Sequence, residues 1–171
     1  MSSKSNVRIE QLLTIEESID ELSELLIQVV EDGASIGFLP PLDPSAATLY
    51  WQNVLAPDVI LFLAKMNDII AGSVQLHLCT KPNGSHRAEI AKLMTHPNYR
   101  RNGIARSLMQ QAEERAKQEE RKLLVLDTRE GDPSNLLYTS MGYIQAGRIP
   151  SFAISANGEL HATIFYYRII G

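Results

Sequence analysis

The apolar positions of this chain follow two periods, a two-residue alternation typical of strands and a spacing of three to four residues typical of helices. Residues 7–12 alternate, which predicts a short strand, and the helical spacing that follows predicts a helix over residues 16–31. The pair Pro40-Pro41 stops this pattern, and either Asp43 or Ser45 can cap a second helix. The first third of the chain is therefore predicted as one strand and two helices.

Three strands are predicted in the middle of the chain. The runs 59–64 and 69–78 are rich in strand-forming residues, and Asn67-Asp68 between them tolerates the left-handed conformation of a tight hairpin turn. A further strand is predicted over residues 88–94, and it ends before Pro97.

The clearest helix of the sequence begins at Ile104, where apolar residues recur every fourth position at Leu108, Ala112 and Ala116. The apolar run 123–126 follows it and is typical of a strand that is buried on both faces, as in a parallel pair. Strand, helix and strand together predict a βαβ crossover.

The last third of the chain is predicted as a short helix and two strands. Asp132-Pro133 opens the helix, which runs to Ser140, and Gly142 ends it before a strand that starts at Tyr143. A final strand is predicted over residues 162–169. The whole pattern indicates an α/β fold with a mixed sheet and helices on its faces.

Length and composition indicate one globular domain over residues 1–171, of which residues 1–5 are expected to be flexible. Lysine and arginine number 16 against 20 acidic residues, so the net charge of −4 argues against a nucleic-acid partner. The apolar runs are too short for a membrane span, so no membrane partner is expected. The single cysteine, Cys79, cannot form an internal disulfide, which favours a reducing, cytoplasmic location.

A basic, glycine-containing segment lies between the strand at 88–94 and the strong helix. Gly103 and Ala105 would let an anion approach the backbone, and the first N–H groups of a helix are unpaired and carry a positive dipole end. Arginines at 100, 101 and 106 surround the same turn. A solvated basic turn is the alternative, but the position of the motif favours phosphate binding.

This segment resembles the pyrophosphate loop of the GNAT superfamily of N-acetyltransferases, Arg/Gln-x-x-Gly-x-Gly/Ala. Residues 89–97 resemble the strand that leads into that loop, and residues 137–143 resemble the downstream Leu-Tyr-x-x-x-Gly-Phe/Tyr motif. Segments 34–41, 126–132 and 147–150 are similar to the small-molecule enzymes related to the tabtoxin resistance protein. The resemblance implies a mostly antiparallel central sheet with helices on both faces and a parallel βαβ unit at the cofactor site.

The resemblance also implies acetyl-coenzyme A as the donor. Its pyrophosphate would be held by the loop, and its pantetheine arm would lie along the preceding strand. The implied contact residues are Leu93, Met94, Thr95, Arg100, Arg101, Asn102, Gly103, Ile104 and Ala105. Many members have a cofactor-contacting asparagine about seven residues before the motif tyrosine. Gly131 stands there in this chain, so only a minor cofactor role is assigned to Asn135.

Tyr138, the tyrosine of the downstream motif, is the candidate general acid and also a cofactor contact. Its phenol is protonated at neutral pH and can give a proton to the departing thiolate, a contribution of roughly a hundredfold or more. A tyrosine that only packs in the core is the alternative.

Two carboxylates are candidates for the acceptor side, as base or as cation anchors. Glu89 lies in a mostly apolar strand, where partial burial would make it a stronger base, although a strand-edge carboxylate paired with Arg87 or Lys92 is the alternative. Asp127 follows an apolar run at the carboxyl end of a strand, where α/β sheets place ligand groups, although a turn-forming role is equally open.

The apolar loop at residues 37–42 is a candidate wall of the acceptor site, with Phe38 and Leu39 as substrate contacts; a loop tucked onto the core is the alternative. The four histidines have no metal-ligand spacing, and no metal is expected. The expected activity is acetyl transfer to a small-molecule amine by direct attack in a ternary complex. A protein lysine or N-terminal acetyltransferase and a non-catalytic acyl-coenzyme A binding module are the alternatives, and a homodimer is compatible with the resemblance.

Overall fold

The computed structural model of the protein describes residues 6–171, which form four α-helices and seven strands. The flexibility expected of residues 1–5 lies outside the described residues. In chain order the elements are β1 (Val7–Leu12), α1 (Ile19–Glu31), α2 (Pro44–Gln52), β2 (Val59–Met66), β3 (Ile69–Leu78), β4 (Arg87–Thr95), α3 (Ile104–Gln118), β5 (Leu123–Arg129), α4 (Ser134–Ser140), β6 (Ile144–Ile154) and β7 (Leu160–Ile169).

Each predicted element is present, and several boundaries differ from the prediction by one to three residues. Helix α1 begins at Ile19 rather than at residue 16, because the chain first turns at residues 16–18. Strand β6, which was predicted to start at Tyr143, runs from Ile144 to Ile154 and contains Pro150. A proline is tolerated there because β6 is an edge strand and its pairing with β7 is irregular between Ile149 and Ala153.

The seven strands form one sheet in the order β1-β2-β3-β4-β5-β7-β6. All neighbouring strands are antiparallel except β4 and β5, so the predicted α/β class with one parallel crossover is confirmed. The expectation that the strand at 123–126 is buried on both faces is wrong. Leu124 and Leu126 are buried, whereas Leu123 and Val125 on the opposite face are only half-buried.

The strands alternate between two hydrophobic cores, one on each face of the sheet. Leu61 and Leu63 of β2 pack in the core under α1 and α2, which also contains the fully buried Trp51. Phe62, from the same strand, packs in the core under α3 with Leu108. No helix within residues 6–171 is both long and apolar enough to cross a membrane.

Candidate functional site

A cleft opens where β4 and β5 separate. The two strands pair only over three residues, from Arg87 opposite Leu123 to Glu89 opposite Val125. Beyond that point the facing edges of the strands no longer bond to each other, which leaves backbone N–H and C=O groups on β4 free to pair with a ligand. The cleft has a volume of about 730 Å³, and it is lined by residues 89–93 of β4, residues 127–129 of β5 and Tyr138 of α4.

A β-bulge in β4 shapes the floor of this cleft. Ser73 pairs with Met94 and Gln75 pairs with Ala91, so one residue of β3 between these pairs faces two residues of β4. Lys92, in the bulge, has a φ of +55°. Its Nζ donates a hydrogen bond of 2.6 Å to the carbonyl of Ile36. Burial lowers the pKa of Lys92, while the negative charges of Asp127 and Glu89 act in the opposite direction.

The predicted phosphate loop leads from the end of β4 into α3. Arg101 and Gly103 both have positive φ angles, of 64° and 74°, and Gly103 is the N-cap of the helix. The first backbone hydrogen bond of α3 runs from Ser107 N–H to the carbonyl of Gly103, so helix geometry leaves the preceding N–H groups without intrahelical partners. A Cβ built on Gly103 would meet no atom within 4 Å. The backbone is thus open to an anion at this point.

Side chains hold the loop in this shape. The amide nitrogen of Asn102 donates to the carbonyls of Tyr99 and Arg100, at 2.9 and 3.1 Å. Arg100 forms an ion pair with Asp32 after α1, and Arg106 donates to the Ser140 hydroxyl of α4 at 2.8 Å. A diphosphate fits this loop, because open backbone N–H groups and two exposed arginines, at 100 and 101, lie in one turn.

The strand residues implied as cofactor contacts face in different directions. Leu93 lines the cleft. Met94 is buried in the core under α1 and α2, so only its backbone can serve a ligand. Thr95 is half-buried and pairs with Gly72 of β3. Ile104, the first residue of α3, is buried in the core between that helix and the sheet, and Ala105 is half-buried.

Tyr138 of α4 lines the cleft together with the two carboxylates. Its side chain is buried, it contacts the rings of Tyr143 and Tyr166 at centroid distances of 5.8 and 5.9 Å, and the residue lines the cleft. Burial, with a smaller contribution from the negative charge of Asp127, raises the pKa of the Tyr138 phenol well above its ordinary value. The phenol therefore remains a proton donor at neutral and moderately alkaline pH.

Glu89 and Asp127 both line the cleft, on the face of the sheet that carries α1 and α2. The expectation that Glu89 is partly buried is wrong: Ala88 and Ile90 are buried on the opposite face, and Glu89 is exposed. Asp127 is also exposed, and its Oδ2 accepts a hydrogen bond of 2.7 Å from the Thr163 hydroxyl. That bond orients the Asp127 carboxylate and leaves its other oxygen available to a ligand.

Several predicted contacts are not among the residues that line the cleft, including Met94, Thr95 and the loop residues 100–105. Asn135 donates to the carbonyls of Arg129 and Asp132, both at 2.9 Å, and accepts from the Tyr166 hydroxyl at 2.7 Å. Its amide therefore joins the end of β5 to α4, and its minor cofactor role stays a prediction. Phe38 and Leu39 do not line the cleft among the described residues.

Phe38 instead packs behind the wall of the cleft, with its ring 5.2 Å from that of Tyr50, and Leu39 is 48% exposed. The earlier part of the same loop, residues 34–37, lines the cleft in their place. Of the predicted loop at residues 37–42, only Gly37 lines the cleft among the described residues, and its contact with an acceptor stays a prediction.

Several polar residues of the cleft were not assigned as site residues by sequence reasoning, among them Tyr50, Gln75, His77, Lys92 and Arg129. His77 lies opposite Glu89 in the pairing of β3 with β4. Arg129 bonds to Asp132, the Ser155 hydroxyl and the carbonyl of Gly33. These residues come from four separate stretches of chain, in α2, β3, β4 and β5, so only the tertiary structure brings them together. Among the described residues, no group of three or more His, Cys, Asp or Glu is arranged to hold a metal ion.

Known proteins resemble this chain in sequence and in structure. Residues 15–143 match the model of the GNAT acetyltransferase family. An uncharacterised N-acetyltransferase from the hisH-hisA intergenic region of Azospirillum brasilense is 30% identical over 130 residues, which cover 74% of this chain and 77% of that protein.

Solved structures share the fold at low sequence identity. An N-acetyltransferase from Staphylococcus aureus Mu50 superposes with a TM-score of 0.83 at 15% identity, over 98% of this chain and 100% of that chain. An acetyltransferase, yncA, from Salmonella typhimurium, solved with its cofactor acetyl-CoA, superposes with a TM-score of 0.79 at 13% identity, over 96% and 94% of the two chains. Together with the family match, these similarities lead to one conclusion: the chain belongs to the GNAT family of acetyltransferases.

Proposed function

We propose that this acetyltransferase moves the acetyl group of acetyl-coenzyme A to the amine of a small molecule by direct attack in a ternary complex. The observation that carries the proposal is the separation of β4 from β5, with the N-terminus of α3 beyond the end of β4 and two carboxylates within the cleft. Acetyl-coenzyme A supplies an activated acetyl thioester when it is bound.

On the donor side, the protein would bind the diphosphate of acetyl-coenzyme A and would supply one proton to the leaving thiolate. The N–H groups at the start of α3 and the guanidinium groups of Arg100 and Arg101 would bind the diphosphate. The free edge of β4 near Leu93 would bond to the extended arm. The Tyr138 hydroxyl would give its proton to the sulfur of the departing thiolate. The raised pKa of the phenol keeps this proton on the hydroxyl until then.

On the acceptor side, the chain must remove a proton, because only a neutral amine has the lone pair that attacks a carbonyl carbon. Glu89 and Asp127 are the candidate bases, and both also attract an ammonium group into the cleft. Asp127 is held by Thr163, whereas Glu89 is the residue opposite His77. Each has exposed oxygens with which to accept the proton.

Residues 34–37 and Lys92 favour a small acceptor over a protein. The Lys92 bond to the Ile36 carbonyl ties this loop to the bulge in β4, so one wall of the cleft is fixed. A fixed wall restricts entry to small amines, whereas a protein lysine or N-terminus needs an open groove. A cytoplasmic location, which the single cysteine favours, and a homodimer, which is compatible with the resemblance, stay predictions.

Release of coenzyme A thiol with a panel of amines tests the proposal. The panel contains amino acids, polyamines, aminoglycosides and β-lactam-type amino acids, with an N-terminal peptide and a lysine peptide as protein surrogates. We expect turnover with at least one small amine and none with the peptides. Turnover of a peptide alone would identify a protein acetyltransferase. Acetyl-coenzyme A binding without any turnover would identify a non-catalytic binding module.

A further inference from the structure

A chain of three hydrogen-bonded polar side chains, with a buried glutamine at its centre, lies in the cleft near the candidate acceptor carboxylates. Gln75 of β3 is only 2% exposed, and it bonds at both ends of its amide. Its Nε2 donates to the Tyr50 hydroxyl at 2.7 Å, and its Oε1 lies 2.9 Å from His77 Nε2. All three residues line the cleft, and none of them has a role in the reaction as described above.

The direction of these bonds determines where the proton of the His77 ring lies. With the Gln75 amide oriented as in the structure, Oε1 faces His77 and can only accept, so we assign the proton to His77 Nε2, which donates to Gln75. In the neutral ring, Nδ1 is then the nitrogen that carries a lone pair. Because Nε2 is committed to Gln75, Nδ1 is the ring atom that remains for a ligand.

The position of His77 places that lone pair beside the acceptor carboxylates. His77 is directly opposite Glu89 in the pairing of β3 with β4, and Val125, two residues before Asp127, is opposite Glu89 on the other side. Side chains opposite one another on a sheet face have Cβ atoms about 5 Å apart. The uncharged acceptor Nδ1 of His77 thus lies beside the Glu89 carboxylate at the candidate amine site.

We infer that His77 binds the acceptor amine through Nδ1, an inference that rests on the proposed function. Gln75 and Tyr50 are positioning residues that hold the His77 ring in the Nε2-protonated form. An N–H of the neutral amine donates to Nδ1 while its lone pair points at the acetyl carbon. Glu89 or Asp127 removes the proton that the amine loses. The acceptor is then a primary amine, because a second N–H is needed for the carboxylate.

Two substitutions of His77 separate the roles of the ring nitrogens. Glutamine carries an amide nitrogen near the position of Nε2, so His77→Gln keeps a donor to Gln75 and lacks the group at Nδ1. Asparagine carries its amide oxygen near the position of Nδ1, so His77→Asn keeps the acceptor and lacks the bond to Gln75. We expect the KM for the amine to rise about tenfold in His77→Gln and less than about threefold in His77→Asn, with unchanged acetyl-coenzyme A affinity in both.

Nitrogen-15 NMR of the free protein, at a pH where the ring is neutral, tests the positioning role without any substrate. We expect the proton of His77 on Nε2 in the unmodified protein, and a shift toward Nδ1 in Gln75→Met, whose fold is checked by circular dichroism. A proton on Nδ1 of His77 in the unmodified protein overturns the inference. The inference is also overturned if His77→Gln and the unmodified enzyme have the same KM for the amine. If no amine is turned over, the proposed function fails, whereas the NMR result still decides the state of the His77 ring.

Discussion

The two proposed binding regions are built in different ways. The proposed diphosphate region, whose residues are not among those that line the cleft, is one continuous segment in which β4 leads into the loop and the loop into α3, and its candidate binding groups are backbone N–H groups. The proposed acceptor region consists of side chains from β3, β4, β5 and the loop at residues 34–37. A site made of backbone depends on local conformation, whereas a site made of distant side chains depends on register and packing. Substitutions should therefore act differently in the two regions.

The largest effect is expected in the proposed acceptor region, from Glu89→Gln and Asp127→Asn. The carboxylate that acts as base should lower kcat by about a hundredfold to ten-thousandfold when it is replaced, since general bases contribute on that scale. Calorimetry should show unchanged acetyl-coenzyme A affinity in both variants. Glu130→Gln is the matched control, because Glu130 is also exposed but pairs with Arg148 outside the cleft. Full turnover in both cleft variants would remove these residues from the reaction.

The variant Tyr138→Phe tests the proton donor. The ring still packs, so fold and acetyl-coenzyme A affinity should be kept, while kcat and kcat/KM fall together by roughly tenfold to a thousandfold, or about 1.4 to 4 kcal/mol. Steady-state kinetics of the acetyl transfer provide the measurement. Tyr143→Phe is the control, because the Tyr143 hydroxyl is buried and the residue does not line the cleft in the described structure. Equal rates in the two variants would reduce Tyr138 to a packing residue.

In the proposed diphosphate region, Gly103→Val should weaken acetyl-coenzyme A binding by about tenfold to a hundredfold, or roughly 1.4 to 2.8 kcal/mol by calorimetry. The new side chain would occupy the open space in front of the helix and would strain a residue at a φ of +74°. Gly158→Val separates the two causes. Gly158 has a φ of +84° and equally open surroundings, but it lies between β6 and β7.

Both glycine variants should lose about 1–2 kcal/mol of stability from backbone strain. Only the variant at residue 103 should lose affinity. If Gly158→Val binds acetyl-coenzyme A as poorly as Gly103→Val does, the loss comes from general destabilisation and the loop is not the diphosphate site.

The smallest effect concerns the buried phenols behind the cleft. Burial raises the pKa of both Tyr138 and Tyr143 above the ordinary value of 10.0, so the unfolded chain releases these protons first as pH rises. The stability that the neutral phenols provide is complete below pH 10 and declines above it. Replacing Tyr143 with phenylalanine removes one such group. Between pH 9 and pH 11, the Tm of this variant should then fall by about 3–5 °C less than the Tm of the unmodified protein, as measured by circular dichroism. An equal fall in both proteins would show that the Tyr143 phenol does not titrate on unfolding.

Sequence reasoning was most successful where the signal is local. The loop at residues 100–105 and helix α3 follow from glycine, arginine and apolar spacing within one segment, and the structure has the loop backbone open where the resemblance implied a diphosphate. The interpretation was wrong for the burial of Glu89, because apolar neighbours on a strand say nothing of the face on which a residue lies. It also did not include His77, whose position opposite Glu89 is set by the pairing of two strands.

By itself, the sequence determined the order of the elements and the α/β class, and it predicted the phosphate loop, the two carboxylates and the tyrosine that we propose for the reaction. Each of these depends on neighbouring residues or on a contiguous motif. Only the tertiary structure decided which side chains meet in the cleft. The three-residue pairing of β4 with β5, the bulge at Lys92 and the chain from Tyr50 through Gln75 to His77 all result from contacts between distant segments. In a sheet, a shift of one residue in register moves a side chain to the opposite face, so no local pattern specifies such a constellation.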